Sequence, residues 1–148
     1  MLIRDFTLAD AEQAIALWQQ CDLTRPWNDP LLDIERNLTA QPGLSLVAEA
    51  AVGDSPEHPA TEVVGTVMLG YDGHRGWMYY LASHPKMRGQ GIAKALVAEA
   101  ERRFESLGCP KAQLMVRGTN TQAVGFYQAL GYEVNDVLVL GKRLIEDD

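Results

Sequence analysis

Between His84 and Ala93 the chain reads His-Pro-Lys-Met-Arg-Gly-Gln-Gly-Ile-Ala, and this run carries the plainest chemistry in the sequence. Gly89 and Gly91 remove side chains that would keep a ligand off the backbone. The apolar period that follows predicts a helix opening here, so unpaired N–H groups and the helix dipole favour an anion at this point. A plain glycine-rich connection would have the same composition. Other phosphate signatures fit less well. A dinucleotide fingerprint starting at Gly89 needs glycine or alanine where Lys94 stands, and a Walker A run is absent.

The flanking elements must hold that turn in place. Trp77–Ser83 reads as a strand stopped by His84-Pro85. Ile92, Leu96, Ala100, Phe104 and Leu107 mark one face of a helix that Gly108 can stop. Upstream, Leu2–Phe6 is a short apolar segment, and Asp10 can cap a helix carrying Ala11, Ile15, Leu17 and Trp18 to about Cys21. Pro26 and Pro30 break it, and Leu31, Ile34 and Leu38 predict a second helix ending at Gln41-Pro42-Gly43. Leu44–Val52 and Glu62–Tyr71 read as strands on either side of a polar loop, Gly53–Ala60. Asp72–Gly76 makes a tight connection to the third strand, giving an antiparallel run of three. Downstream come a strand at Lys111–Val116, a helix at Thr121–Leu130 capped by Asn120, and two closing strands, Tyr132–Val134 and Val137–Leu144. The expected fold is α/β of the α+β type: one domain over residues 1–148, about four helices flanking a mixed, mainly antiparallel central sheet.

Bulk properties agree. A chain of 148 residues, 47% hydrophobic and 22% charged, suits one domain with a sizeable core. A net charge of −7 leaves no basic footprint for a phosphate backbone, so no nucleic-acid partner is expected. No apolar run approaches the ~18–20 residues of a membrane span. Met1–Asp5 leads into mixed polar sequence rather than a signal core, so the expected address is the cytoplasm. Cys21 and Cys109 offer neither a disulfide framework nor metal-ligand spacing, and no metal is expected.

Arg88, Gly91 and Ala93 fill the spacing Q/R-x-x-G-x-G/A, and Asn120–Tyr132 fills N-x-x-A-x-x-F/L-Y-x-x-x-G-F/Y. In that order, with a strand between them, these runs resemble the GNAT superfamily of N-acetyltransferases over about Trp77–Val134. Arg25–Pro30, Gly70–Gly76 and Gly141–Asp147 further resemble the bacterial YpeA-type members. The resemblance implies an acetyl-CoA-dependent enzyme that transfers acetyl directly to a primary amine, with a small-molecule amine as the expected partner and a homodimer as the default assembly. The CoA pyrophosphate is expected on backbone N–H groups of Arg88, Gly89, Gln90, Gly91, Ile92 and Ala93. The pantetheine arm is expected along Leu81, Ala82 and Ser83, chiefly on the backbone of Leu81 and Ser83. Asn120 is implied to touch that arm as well as cap its helix. Tyr127, otherwise a packing residue, is implied to lie near the CoA sulfur as the catalytic acid.

The proton acceptor is not legible. Ribosomal-protein N-terminal acetyltransferases of the superfamily carry glutamate in an L-E-V-R stretch, whereas this chain has Leu114-Met115-Val116-Arg117. Methionine cannot take a proton from an ammonium group. Asp72, His74 and Asp29 are candidates, each also readable as a turn former or solvated residue, and His84 reads as structural. Tyr79 and Tyr80 point to opposite faces, so only one can line an acceptor channel. Arg25 and Trp27 sit where an acceptor lid could form, or serve as an exposed arginine beside a core tryptophan. The absent glutamate leaves two alternatives to a small-molecule enzyme: a non-catalytic acyl-CoA-binding module, and a protein N-acetyltransferase.

Overall fold

Alternation of apolar residues builds a sheet that is covered on both faces. The computed structural model describes residues 1–52 and 60–147. Its sheet runs in the order β1 (Leu2–Asp5), β2 (Leu46–Val52), β3 (Ala60–Tyr71), β4 (Gly76–Ser83) and β5 (Ala112–Leu114). The first four pair antiparallel and β5 joins β4 in parallel. Four α-helices complete the described residues: α1 (Ala11–Gln20), α2 (Pro30–Ala40), α3 (Ile92–Ser106) and α4 (Thr121–Ala129). The expected α/β layout is the one observed. The loop expected at Gly53–Ala60 lies outside the described residues except for Ala60, which opens β3.

One face of the sheet carries Leu46, Val67, Leu69 and Met78 against Ile92, Leu96, Ala100 and Phe104 of α3. The other carries Val47, Val63, Met68 and Ala82 against Ala14, Leu17 and Trp18 of α1 and Ile34 of α2. β3 is therefore buried from both sides along Val63–Leu69. Two glycines set how closely α3 lies. A methyl group on Gly65 would stand 2.6 Å from Ile92 Cγ2, and one on Gly76 would stand 2.8 Å from the Phe104 ring. Both strands approach the helix at distances only a missing side chain permits.

Three expectations fail. Asp10 does not cap α1 with its side chain, because Leu8–Asp10 already forms a 3-10 turn. Its carboxylate instead accepts from the Thr7 N–H at 2.9 Å and the Arg4 guanidinium at 2.8 Å. The strand expected over Lys111–Val116 shortens to Ala112–Leu114. The closing strands at Tyr132–Val134 and Val137–Leu144 do not form. Alternation marks which side chains a strand would bury but supplies no partner edge, and β5 offers only three residues of ladder. The segment instead crosses to the start of α2. There Arg143 Nη1 donates to Asn28 Oδ1 at 2.7 Å, and Asp147 accepts from the Asp29 N–H at 3.0 Å and from Arg36 at 2.9 Å. Val137, Leu138, Val139 and Leu140 are left 66–90% exposed.

Candidate active site

β4 is the element on which the site is built, and its two halves differ. Gly76, Trp77 and Met78 pair with Ala112, Gln113 and Leu114, and there the β4–β5 ladder stops. β4 continues to Ser83, so Tyr79–Ser83 has no strand on that side among the described residues. Opposite, Thr66 faces Ala82 while Met68 faces Tyr79, so Tyr80 and Leu81 together oppose Val67 in a β-bulge. Tyr80 takes φ +52°, left-handed backbone that a tyrosine adopts only when its surroundings hold it there.

The surroundings do hold it. Trp18 Nε1–H donates to Thr66 Oγ1 at 2.8 Å, and Thr66 Oγ1 donates to the Tyr80 carbonyl, also at 2.8 Å. The Tyr80 ring stacks on Trp18 with centroids 3.9 Å apart and planes 14° from parallel. Trp18 and Thr66 are fully buried, so these bonds form in a poorly solvated interior where losing one is costly. The consequence lies in the backbone. His84 N–H donates to the Val64 carbonyl at 2.8 Å, and Ala82 lies in the same register opposite Thr66. Amide directions alternate along a regular strand, so His84 and Ala82 are turned toward β3 and Ser83 toward the open side, while Leu81 lies in the bulge itself, where the alternation breaks.

β4 leads directly into the glycine turn. His84 Nδ1 accepts from the Lys86 N–H at 3.2 Å and caps the 3-10 turn Pro85–Met87, which makes it structural as expected. Gly89 and Gly91 have φ of +83° and +80° with nothing within 4 Å of a notional Cβ. They are glycines for their backbone shape, and they leave the surface of the turn clear. Gly91 is the N-cap of α3, so the first N–H groups of the helix, including Ile92 and Ala93, lack intrahelical partners. Arg88–Gly91 is exposed. No Asp or Glu occurs between Asp72 and Glu99, in a chain with 20 of them, while Arg75, Lys86, Arg88 and Lys94 all fall in that stretch. That local segregation of charge, hidden in the net value, is a sequence signal of an anion site that motif spacing passes over.

α4 supplies the remaining site residues. Asn120 Oδ1 accepts from the Ala123 N–H at 3.1 Å, so it caps the helix while its amide nitrogen stays available. Tyr127 is half-buried, edge-on to Phe126 and Tyr132 with centroids 5.1 and 5.8 Å away. No described group hydrogen-bonds its hydroxyl, and burial pushes that hydroxyl up to about 12. Leu81, Met87 and Tyr127 pack at the rim of the same α3-side core, which brings the β4 bulge, the turn and α4 together. An open cleft of about 1190 Å³ between β5, α4 and residues 131–139 touches Tyr127 but neither Leu81–Ser83 nor the turn. It arises where the C-terminal segment stands away from β5, and it is not the strand-to-helix site.

The other candidates separate cleanly. Asp72 Oδ1 accepts from the N–H groups of His74 and Arg75 at 2.8 and 2.7 Å, which hold its carboxyl below the usual range, so it is a turn former. Asp29 caps α2, accepting from the Leu31 N–H at 2.9 Å. Arg25 donates to the carbonyls of Asp22 and Thr24 in its own loop. Trp27 is 54% exposed and is not a core residue; Trp18 fills that role. Met115 is on the surface, with no carboxylate in its place. Of the strand tyrosines, Tyr79 is largely exposed while Tyr80 faces α1 and α2. Among the described residues no group of three His, Cys, Asp or Glu could hold a metal, and no helix is long and apolar enough to cross a membrane.

Comparison with known proteins bears on the same segments. An acetyltransferase of Sodalis glossinidius (strain morsitans) is 54% identical over 148 residues, covering 99% of this chain and 98% of that protein. One of Pectobacterium atrosepticum is 52% identical over 147 residues, with 99% and 98% covered. Among solved structures, Ard1 from Thermoplasma volcanium superposes with a TM-score of 0.73 at 20% identity, covering 90% of this chain and 83% of that one. AAC(6')-Iy in complex with the bisubstrate analogue CoA-S-monomethyl-acetylneamine gives 0.71 at 21% identity, covering 97% and 98%. The profile of the acetyltransferase (GNAT) family matches residues 12–132, from α1 through the turn to the end of the Asn120–Tyr132 segment. The chain belongs to the GNAT family of acetyltransferases.

Proposed function

We propose that this acetyltransferase moves an acetyl group from acetyl-CoA directly to a primary amine of a small molecule. The observation that carries the reading is the second half of β4. The Ser83 amide faces an edge with no strand on it among the described residues, Leu81 stands beside it in the bulge, and that edge ends at a turn whose backbone and dipole favour an anion. A molecule with an amide-bearing arm and a pyrophosphate suits both features at once. The arm pairs with Leu81 and Ser83, Ala82 holds the strand to β3, and the pyrophosphate lies on the N–H groups from Arg88, Gly89 and Gln90 to Gly91, Ile92 and Ala93. Asn120 reaches the arm with its free amide nitrogen. A backbone N–H of the bulge then polarises the thioester carbonyl as the oxyanion develops. Methionine in place of glutamate at Met115 supports a small amine over a protein N-terminus.

Tyr127 assists departure of the thiolate. With its hydroxyl at about 12 against ~8.5 for a cysteine-like thiol, outright proton transfer to free thiolate is uphill. What it contributes is a hydrogen bond that strengthens as negative charge gathers on sulfur. Replacing it by Phe should lower kcat about ten- to hundredfold, with acetyl-CoA affinity little changed. An unchanged kcat at saturating acceptor removes that role. The reading as a whole is tested by thiol release from acetyl-CoA across amino acids, polyamines, aminoglycosides and peptides. Activity with peptides alone overturns the small-molecule acceptor, and no release with any of them overturns the proposal.

A further inference from the structure

We infer that Tyr80 and Asp33 together take the proton from the acceptor amine, an inference that rests on the transferase reading above. Tyr80 Oη donates to Asp33 Oδ2 at 2.6 Å, a link from the β4 bulge to the first turn of α2. The bulge turns the ring toward α1 and α2, one residue before Leu81 and three before Ser83 on the proposed cofactor edge. The side chain nearest in sequence to the thioester-binding backbone therefore ends in a hydroxyl with its hydrogen already committed. What that oxygen has left to offer a ligand is lone pairs, so it recognises a donor, and an ammonium group is one.

The orientation is fixed from three sides. Trp18 stacks on the ring, Thr66 holds the carbonyl, and Asp33 holds the hydroxyl. Burial and the Asp33 carboxylate keep the Tyr80 hydroxyl well above the ordinary tyrosine range, so it stays protonated and passes a proton on rather than storing one. Asp33 is 28% exposed at its side chain and lies 3.9 Å from Arg36, so a proton delivered to it can leave to water. The ammonium proton moves to Tyr80 Oη as the hydroxyl's own proton moves to Asp33 Oδ2, leaving a neutral amine and a carboxylic acid. The nitrogen lone pair then forms the N–C bond, and the C–S bond breaks with its electron pair on sulfur. The second nitrogen proton is lost to solvent, and the departing thiolate, held by the Tyr127 hydrogen bond, takes a proton from solvent. Amide and CoA thiol leave, and Asp33 loses its proton to solvent. Tyr80 is then a catalytic residue, and Asp33 acts through it.

Two amines of similar size separate proton removal from mere positioning. Methylamine is protonated at neutral pH, whereas methoxyamine is not and needs no base. Thiol release from acetyl-CoA is measured with each for the wild-type chain, Tyr80→Phe and Asp33→Asn. Each substitution should lower kcat with methylamine about 10²-fold, and the loss with methoxyamine should be at least about tenfold smaller. Equal losses with both amines would reduce the pair to a structural role and overturn the inference, as would an unchanged rate with methylamine. If the wild-type chain releases thiol only with a larger amine of the panel above, the variants are compared on that amine across the pH range in which it deprotonates. A loss equal at every pH overturns the inference. No release with any acceptor overturns the transferase reading, and the pair with it.

Discussion

The two faces of the sheet are held by different physics. On the α3 face the contact is apolar and close, with Phe104 against Gly76 and Ile92 against Gly65. On the α1–α2 face Trp18 donates to Thr66, Thr66 to the Tyr80 backbone carbonyl and the Tyr80 hydroxyl to Asp33, and beside them Asn37 donates to the Leu69 carbonyl while Ser45 donates to Asn37. The apolar face aims a helix terminus, which needs only position. The polar face aims individual oxygens and one left-handed residue, which need orientation. Shape serves the cofactor end of the proposed site, and hydrogen bonds serve the acceptor end.

The largest expected effect tests the apolar face. Phe104→Ala should cost about 3–5 kcal/mol in urea unfolding, by lost burial and the cavity left behind. Gly76→Ala alone should cost about 1–3 kcal/mol by overpacking, and much less in the Phe104→Ala background, because the ring it collides with is gone. Additive costs would mean that the close approach is not what Gly76 is for. The polar face should respond less in stability and more in chemistry. Thr66→Val leaves the buried Trp18 N–H and the Tyr80 carbonyl without this partner, about 1–3 kcal/mol for a group left unpaired. Relaxation of the bulge should then raise the KM for acetyl-CoA, and an unchanged KM would separate the Trp18–Thr66 bonds from the open edge.

The smallest effect concerns the C-terminal segment, which belongs to neither face. Arg36 and the Asp29 N–H hold the Asp147 carboxyl at about 2, below its ordinary 3.8. A depressed carboxyl contributes stability above its unfolded value and loses it on the way down, so the tail contact should persist above about pH 4 and fade toward about pH 2. Hydrogen exchange at the Asp29 amide should rise across that window before the β3 amides open. Protection that persists to pH 2 would place the tail's attachment elsewhere.

Much of this was legible in the sequence where partner and pattern lie close together. The glycine turn, the apolar face of α3 from Ile92 to Phe104 and the Asn120 cap are each settled within one or two helical turns, and all were expected; Leu107, expected on that face, follows the helix end and is exposed. What alternation could not mark was the extra residue in β4, because a bulge shifts the register without changing composition. Asp33 was invisible as a site residue for another reason: its partner Tyr80 is 47 positions away, and its own surroundings read as an ordinary solvated helix face. Val137–Leu144 misled in the opposite sense, since its residues suit a strand but three residues of β5 do not make an edge for it.

The half of β4 that has no strand on its β5 side among the described residues also bears on how the protein keeps in solution. Ser83 presents hydrogen-bonding groups that any extended chain can use, and an edge of this kind is a template for unwanted association. A ligand that occupies the edge shields it, and at a hundred times its Kd it also adds about 2.7 kcal/mol to folding. Supply of acetyl-CoA would then govern the shelf life of the enzyme as well as its turnover, with starved protein the first to clump.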